Sequence, residues 1–479
     1  MVAEEAGRAG NTRGQQAIEG PAGTDMNDGS TIAAISTPPG RGALAVVRVS
    51  GPEALLIAGK LGLPDADARV ARHAVLRHPT RHTAVDDVVA VRFPSPASYT
   101  GEDMLEISCH GGSLAPQLVL EAVCDAGARL AEPGEFTRRA FLNGKLDLMQ
   151  AEATLDLIDA RSPAMHRAAL FQLERGLSRR IEQLRAELVG LQALIAYDID
   201  FPEEDDGPVP AARIDEAATD LRDQLARLLE LAPEGELLRD GALTVIAGRT
   251  NAGKSSVFNA LVGFERAIVT EEPGTTRDAI EALIGIGGYP FRLVDTAGLR
   301  DDPGRIEGMG IDVARGYVER ADLVLLCVEA DREPGADERE FVARLAEAEE
   351  ARLIVLRTKT DRSEGEIRGE LREARLELPV SAHAGDGLPE LRTALVEGIY
   401  AGIRSEEDTP VVTRARHVAC LARAQRDMDA FHEARSMGMP AEICGTHVQD
   451  ATLALEDLLG VVTQEDVLDR VFGAFCVGK

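Results

Sequence analysis

At 479 residues the chain is too long for one hydrophobic core, and chains of this length divide into about two to four domains. Apolar residues make up 44% and charged residues 28%, the balance of a globular protein, and no run of about 18 apolar residues offers a membrane span. The formal net charge of −29 excludes a surface that attracts nucleic acid everywhere, so any RNA must meet a local basic patch or a partner's.

Residues 1–25 are rich in Gly, Ala and polar residues and lack the apolar centre of a signal peptide. They read as a disordered leader, with Met1 or Met26 as the true start. Six scattered cysteines show neither Cys-x-x-Cys nor Cys/His spacing, which argues against a zinc site and a disulfide framework and for a cytoplasmic location. Between Thr31 and Leu142, apolar runs at Leu44–Val49, Asp87–Phe93 and Met104–Ile107 predict strands, and Leu114–Ala126 predicts a helix. Residues 26–143 are therefore expected to be an α+β domain. From Leu146 to Tyr197 apolar residues recur at helical spacing, and after the break at Phe201–Pro208 a further helix is expected from Ala211 to Leu231. Residues 239–403 change texture: apolar runs at Leu243–Ala247, Phe291–Val294, Leu323–Val328, Leu353–Leu356 and Leu378–Val380 alternate with amphipathic helices, as in a mostly parallel sheet with crossovers. After Pro410 the pattern is helical again. The simplest packing is one α-helical domain, in two parts at 144–238 and 404–479, with the α/β domain inserted between them.

Gly248 to Ser255 fits G-x-x-x-x-G-K-[S/T], follows the strand Leu243–Ala247 and opens a helix at Ser256–Val262. Such a loop closes backbone N–H groups around phosphate oxygens, brings Lys254 to the β- and γ-phosphates and sets the Ser255 hydroxyl on Mg²⁺. Asn251, Ala252, Gly253 and Ser256 complete this part of the set. Asp295, Thr296, Ala297 and Gly298 follow the strand Phe291–Val294, where a carboxylate supports the Mg²⁺ shell. Thr275 and Thr276 lie between these elements, on a loop able to close over the metal. The base is read further on, by Thr358, Lys359 and Asp361 and by Ser381 and Ala382. A carboxylate accepts from guanine N1–H and its 2-amino group, which adenine lacks. Thr358 stands where GTPases usually carry Asn, leaving the strength of guanine binding open.

Three flanking signatures narrow the match: Thr37–Gly42 leading to Val47–Gly51, Pro133–Lys145, and the terminal Phe475-Cys476-Val477-Gly478-Lys479. From Thr31 to Lys479 the chain resembles the MnmE/TrmE family, with Val477 in place of the usual Ile. The resemblance implies a P-loop G domain inserted in an α-helical domain, preceded by an α+β folate-binding domain. It implies a homodimer working with the FAD-containing MnmG on tRNA, adding an aminomethyl or carboxymethylaminomethyl group to carbon 5 of the wobble uridine. The one-carbon unit comes from a tetrahydrofolate, 5-formyl or 5,10-methylene, held by Arg48, Glu106, Lys145 and Lys479. The GTP site gains Thr270, Glu271, Glu272, Pro273 and Gly274, with Mg²⁺ on Ser255 and Thr276 and K⁺ on Asn251, Thr270, Glu272 and Thr275. Leu299 and Arg300 cannot orient water, and the family pattern gives that task to Glu307; Cys476 becomes a second catalytic candidate.

Without the family, Arg48 and Lys145 read equally as strand-edge and helix-start charges, and Cys476 as an inert terminal thiol. Arg138, Arg139, Arg179, Arg180, Arg414 and Arg416 are either a solvated face or contacts to tRNA phosphates. The rival function is a ribosome-assembly or regulatory GTPase, which gives no reason for the Arg48, Glu106, Lys145 and Cys476 set.

Overall fold

The computed structural model describes residues 29–200, 210–264, 280–295, 316–347, 352–362, 367–369, 371, 374–401, 412–461 and 465–478. Two units emerge, Met1–Lys145 with Phe472–Lys479, and Leu146–Val471. The leader, at 1–25, lies outside the described residues.

In the first unit, alternation along each strand decides which side chains meet the core. Strands β1 (Ile32–Ile35), β2 (Leu44–Ser50), β3 (Arg72–Arg77), β4 (Ala84–Phe93), β5 (Met104–His110) and β6 (Arg129–Leu130) form one sheet in the order β3-β4-β5-β2-β1-β6. All pairs are antiparallel except β1 with β6. Val47, Val49, Leu105 and Ile107 point to one face, where Ile57 of the helix Ala54–Lys60 and Val119 and Val123 of the helix Ala115–Asp125 cover them completely. Each such side chain contributes about 1.5–3 kcal/mol relative to exposure. The opposite face receives Phe136 from the helix Glu135–Leu142, packed on Ile32, Ala34 and Ala131. Glu135 is fully buried there, and burial alone would raise its carboxyl pKa. Hydrogen bonds from Arg129, at 2.8 and 2.7 Å, and the nearby Arg139 charge hold it below the usual range instead. The chain end also belongs to this unit: Phe472 packs on Phe141, Val477 bridges Pro133, and the Ser36 hydroxyl donates to Gly478 O at 3.1 Å. Gly478 has φ +98°, and a Cβ there would lie 2.6 Å from Ile35 O, so only glycine fits.

In the second unit the expected long helical stretch is three helices, Leu148–Asp159, Pro163–Leu173 and Gly176–Asp200. Asp147 and Gln150 form a capping box that starts the first, and Ser162 caps the second with Pro163 behind it. Helices Ala211–Glu230 and Ala232–Asp240 follow, and helices Ala415–Ser436 and Ala441–Leu459 come after the sheet. One hydrophobic cluster takes Leu184, Leu188 and Leu221 from before the sheet and Leu421, Phe431, Val448 and Leu455 from after it. A buried polar clasp joins the same two parts. Glu152 is 2% exposed; Arg416 donates to it at 2.9 and 2.8 Å and His417 Nε2 lies 2.6 Å from Oε2. Burial pushes the Glu152 carboxyl up, but the charges and hydrogen bonds of His417 and Arg416 win and hold it far below the usual range.

The sheet of this unit runs β12-β11-β10-β7-β9-β8, from β7 (Ala242–Gly248), β8 (Ile280–Ile286), β9 (Tyr289–Asp295), β10 (Leu323–Glu329), β11 (Arg352–Thr358) and β12 (Glu377–Val380). Five strands are parallel, and β8 pairs antiparallel with β9. Both faces are buried, so β7 and β10 read as continuous apolar runs rather than alternating ones.

Candidate functional site

The phosphate loop follows β7, whose neighbours are β9 on one side and β10 on the other. This is where successive connections diverge to opposite sides and leave a crevice beyond the carboxyl ends of the strands. Gly248 has φ +138°, and a Cβ there would come within 2.5 Å of Cys327 O on β10, so the turn requires glycine. Asn251 takes the left-handed conformation at φ 65°, which asparagine tolerates better than most residues. Ser255 and Ser256 are exposed on the first turn of the helix Lys254–Phe264, whose unpaired N–H groups suit an anion. The Lys254 ammonium, 6% exposed, donates to Gly248 O at 2.9 Å and Arg249 O at 2.8 Å. A cleft of about 610 Å³ runs from Asn251, Lys254 and Ser255 to Lys359 and Arg362. Asp295 closes β9 beside Ile246 of β7 and is 1% exposed. Thr270, Glu271, Glu272, Pro273, Gly274, Thr275, Thr276, Thr296, Ala297, Gly298 and Glu307 lie outside the described residues.

Thr358 gains a clear role. It ends β11, and its buried Oγ1 donates to Ala252 O at 2.7 Å, tying the loop after β11 to the phosphate loop. Nothing within the tetrapeptide itself signals this bond, because its partner is 106 residues away. Beside it, Lys359 has φ 60° and its ammonium pairs with the Glu329 carboxylate at the end of β10. The Ser381 hydroxyl donates to Asp361 Oδ1 at 2.7 Å, and this bond holds the Asp361 carboxyl below its usual range. Ala384 N–H fixes the same hydroxyl at 3.1 Å, and the ionised Asp361 carboxylate faces solvent between Lys359 and Arg362 in sequence, both of which line the cleft. Ala382 follows, half-buried.

In the first unit, β2 and β5 pair Arg48 directly opposite Glu106, on the face away from the helix-covered core. Arg48 Nε and Nη2 both donate to Glu106 Oε1, at 3.1 and 2.8 Å. The guanidinium lies 5.4 Å from the Tyr99 ring centre and 5.9 Å from that of Phe136, so aromatic rings flank the ion pair. Tyr99 and Phe136 escaped the sequence reading, since a lone aromatic residue carries no signal of its partner. Lys145 is not part of this pair: its ammonium donates to Pro96 O at 3.0 Å, on the loop that leads to Tyr99. Cys476 is exposed, and Lys479 lies outside the described residues.

Most of the arginines expected on a solvated or tRNA-facing surface are turned inward. Arg138 and Arg139 are 7% and 5% exposed, and Arg139 bonds Glu102 and Glu135. Arg414 pairs with Asp156 at 2.6 Å and Arg416 with Glu152, while Arg180 donates to Gln224. Arg179 alone of the six is exposed. The sequence shows a basic residue but not the carboxylate that folding brings to it. One further group gathers histidine and carboxylates among the described residues, His78 with Glu121 and Asp125. His78 Nδ1 accepts N–H groups from Thr80 and Arg81, each at 3.4 Å, and Nε2 lies 3.1 Å from Asp125 Oδ2.

The family model described as MnmE helical domain matches residues 148–476, and that described as GTP-binding protein TrmE N-terminus matches residues 31–145. A protein of Salinibacter ruber named tRNA modification GTPase MnmE is 42% identical over 465 residues, covering 95% of this chain and 100% of the relative. One of the same name from Ligilactobacillus salivarius is 37% identical over 457 residues, covering 94% and 98%. With matches of this extent at both ends of the chain and across its nucleotide loop, the chain belongs to the MnmE/TrmE family of tRNA modification GTPases.

Proposed function

We propose that the chain hydrolyses GTP to drive modification of the wobble uridine of tRNA. The carrying observation is the pairing of two loops across one cleft: a phosphate loop that tolerates only glycine at Gly248, tied by Thr358 to a loop presenting Lys359 and an ionised Asp361. Ser255 and the buried Asp295 are of the hard-oxygen type that suits Mg²⁺, and Thr276 would complete its shell. Asn251 would give K⁺ its side-chain oxygen, with Thr270, Glu272 and Thr275 as further ligands. Mg²⁺ and K⁺ held there would supply positive charge against the phosphate oxygens. Lys254 binds the β- and γ-phosphates, and Glu307 orients the attacking water. Pairing of two G domains across the nucleotide accompanies hydrolysis.

The domains proposed are an α+β domain at 26–143, a helical domain in two parts at 144–238 and 404–479, whose last residues, 472–479, pack with the α+β domain instead, and the inserted G domain at 239–403. The shared hydrophobic cluster and the Glu152 clasp support the discontinuous helical domain. The first domain takes the tetrahydrofolate derivative: Glu106 meets the amino-pyrimidine edge of the pterin, Arg48 holds Glu106 ionised, and Tyr99 and Phe136 supply flat apolar walls. Lys145 and Lys479 bind the acidic tail, with Cys476 beside the one-carbon unit. An FAD-containing MnmG supplies the redox half of the reaction. The test is reconstitution: the chain with an MnmG protein, GTP, K⁺, 5,10-methylene-tetrahydrofolate, an ammonium or glycine donor and unmodified tRNA yields the substituted uridine, and omitting GTP or folate removes it. Product formed without either component would refute the proposal.

A further inference from the structure

We infer that Glu329 is a positioning residue for guanine nucleotide: it anchors Lys359 from behind, so that the lysine stem forms a fixed wall of the base cleft. The inference rests on the nucleotide site proposed above. The backbone of Lys359 is left-handed, at φ 60°, which a non-glycine residue rarely adopts and which its surroundings must impose. β10 and β11 lie in register so that Glu329 stands opposite Thr358, one residue before Lys359, and the carboxylate meets the ammonium at the carboxyl end of the sheet. Both side chains are only 25% exposed, which weakens screening by solvent.

Glu329 is itself held. Arg332 Nε lies 3.3 Å from Glu329 Oε2, and the Arg332 guanidinium pairs with Glu338, which is 4% exposed. Glu338 also accepts the N–H of Gly335 at 2.8 Å, and Arg249 of the phosphate loop lies 3.9 Å from it and pairs with Asp337. Charges therefore alternate in an unbroken line from Lys359 through Glu329, Arg332 and Glu338 to Arg249, joining the base end of the cleft to its phosphate end behind the nucleotide. The Lys359 hydrogen bond, with the charges of Lys359 and Arg332, holds the Glu329 carboxyl below its usual range, so the line is charged at neutral pH.

An anchor of this kind acts on how long nucleotide stays, not on cleavage. Glu329→Gln keeps the shape and removes the charge, and losing one charge-assisted hydrogen bond should speed release of fluorescent GDP about tenfold. GTPase assays of the same variant should show the loss in KM, with kcat at saturating GTP within about twofold of wild type. Glu329→Asp, which retains the charge, should recover most of the affinity, and circular dichroism should show both variants folded. Asp361→Asn separates the inference from the reading beneath it. If Asp361→Asn weakens GDP binding and Glu329→Gln does not, the anchoring role is wrong and the site stands; if neither variant changes binding, the site itself is misread. Equal losses in Glu329→Gln and Glu329→Asp would likewise overturn the charge-based anchor.

Discussion

Replacing Thr358 by valine removes one hydroxyl and little else. Its Oγ1 donates to Ala252 O at 2.7 Å, and the residue is 2% exposed, so no water replaces the lost donor. Valine is nearly isosteric and continues β11 without strain. The loss of a buried hydrogen bond that strands a backbone carbonyl costs about 1–3 kcal/mol. If the tether serves the ordered phosphate loop, that energy appears as a fall of about five- to 150-fold in nucleotide affinity. GDP and GTP should suffer alike, because both need the loop closed while only GTP needs the γ-phosphate contacts. Titration with fluorescent GDP and a slowly hydrolysed GTP analogue measures both. Thr358→Asn, which restores the residue usual in GTPases, offers an amide donor in place of the hydroxyl and should bind within about threefold of wild type, since the same bond is re-made. Wild-type affinity in Thr358→Val would refute the tether, and a loss confined to the triphosphate would place the effect elsewhere.

Lys254→Ala should lose about 100-fold or more in GTP affinity by the same titration, because charge-assisted contacts to two phosphates go at once. Glu106→Ala should abolish calorimetric binding of 5-formyl-tetrahydrofolate while GTP hydrolysis survives, since the residue lies in the other unit of the chain. Hydrolysis should be faster in K⁺ than in Na⁺ at equal ionic strength, and Glu307→Ala should turn over at least about tenfold more slowly, a loss of roughly 1.4 kcal/mol, with GTP still bound. Glu152→Ala strands Arg416 and His417 in the helical core and should destabilise it by about 3–5 kcal/mol, read as a lower Tm. The pH dependence follows from the depressed Glu152 pKa: below its ordinary value of 4.5 the unfolded chain takes up the proton first. The contribution of Glu152 is therefore complete above that value and declines as pH falls below it, a slope that Glu152→Ala should flatten, while the buried His417, whose pKa burial lowers, adds a decline that sets in below 6.5.

The phosphate loop was legible because its parts are contiguous: Gly248 to Ser255 is read in one glance, with a strand before it and a helix after it. Five strands of the second sheet were legible too, because burial on both faces leaves continuous apolar runs such as Leu323–Val328; β8, the antiparallel edge strand, was not. β3 escaped notice because an edge strand with one well-buried residue, Leu76, has no such run. The long helical stretch hid its breaks, since Ser162 and Pro163 mark a start only when the capping bond to Met165 N–H is seen. The fate of the arginines was illegible for a plainer reason. Arg414 and Arg416 find Asp156 and Glu152 more than 250 residues away, and no spacing rule spans that distance. The same holds for Arg48 and Glu106, 58 residues apart, whose pairing follows from strand register.

The central claim is that GTP hydrolysis by this chain drives uridine modification, and nucleoside analysis of tRNA tests it most directly. Mass spectrometry of digested tRNA from a strain lacking the gene should show the 5-substituted wobble uridine gone, restored by the wild-type chain and not by Lys254→Ala. An unchanged nucleoside profile on deletion, or full restoration by Lys254→Ala, would contradict the account.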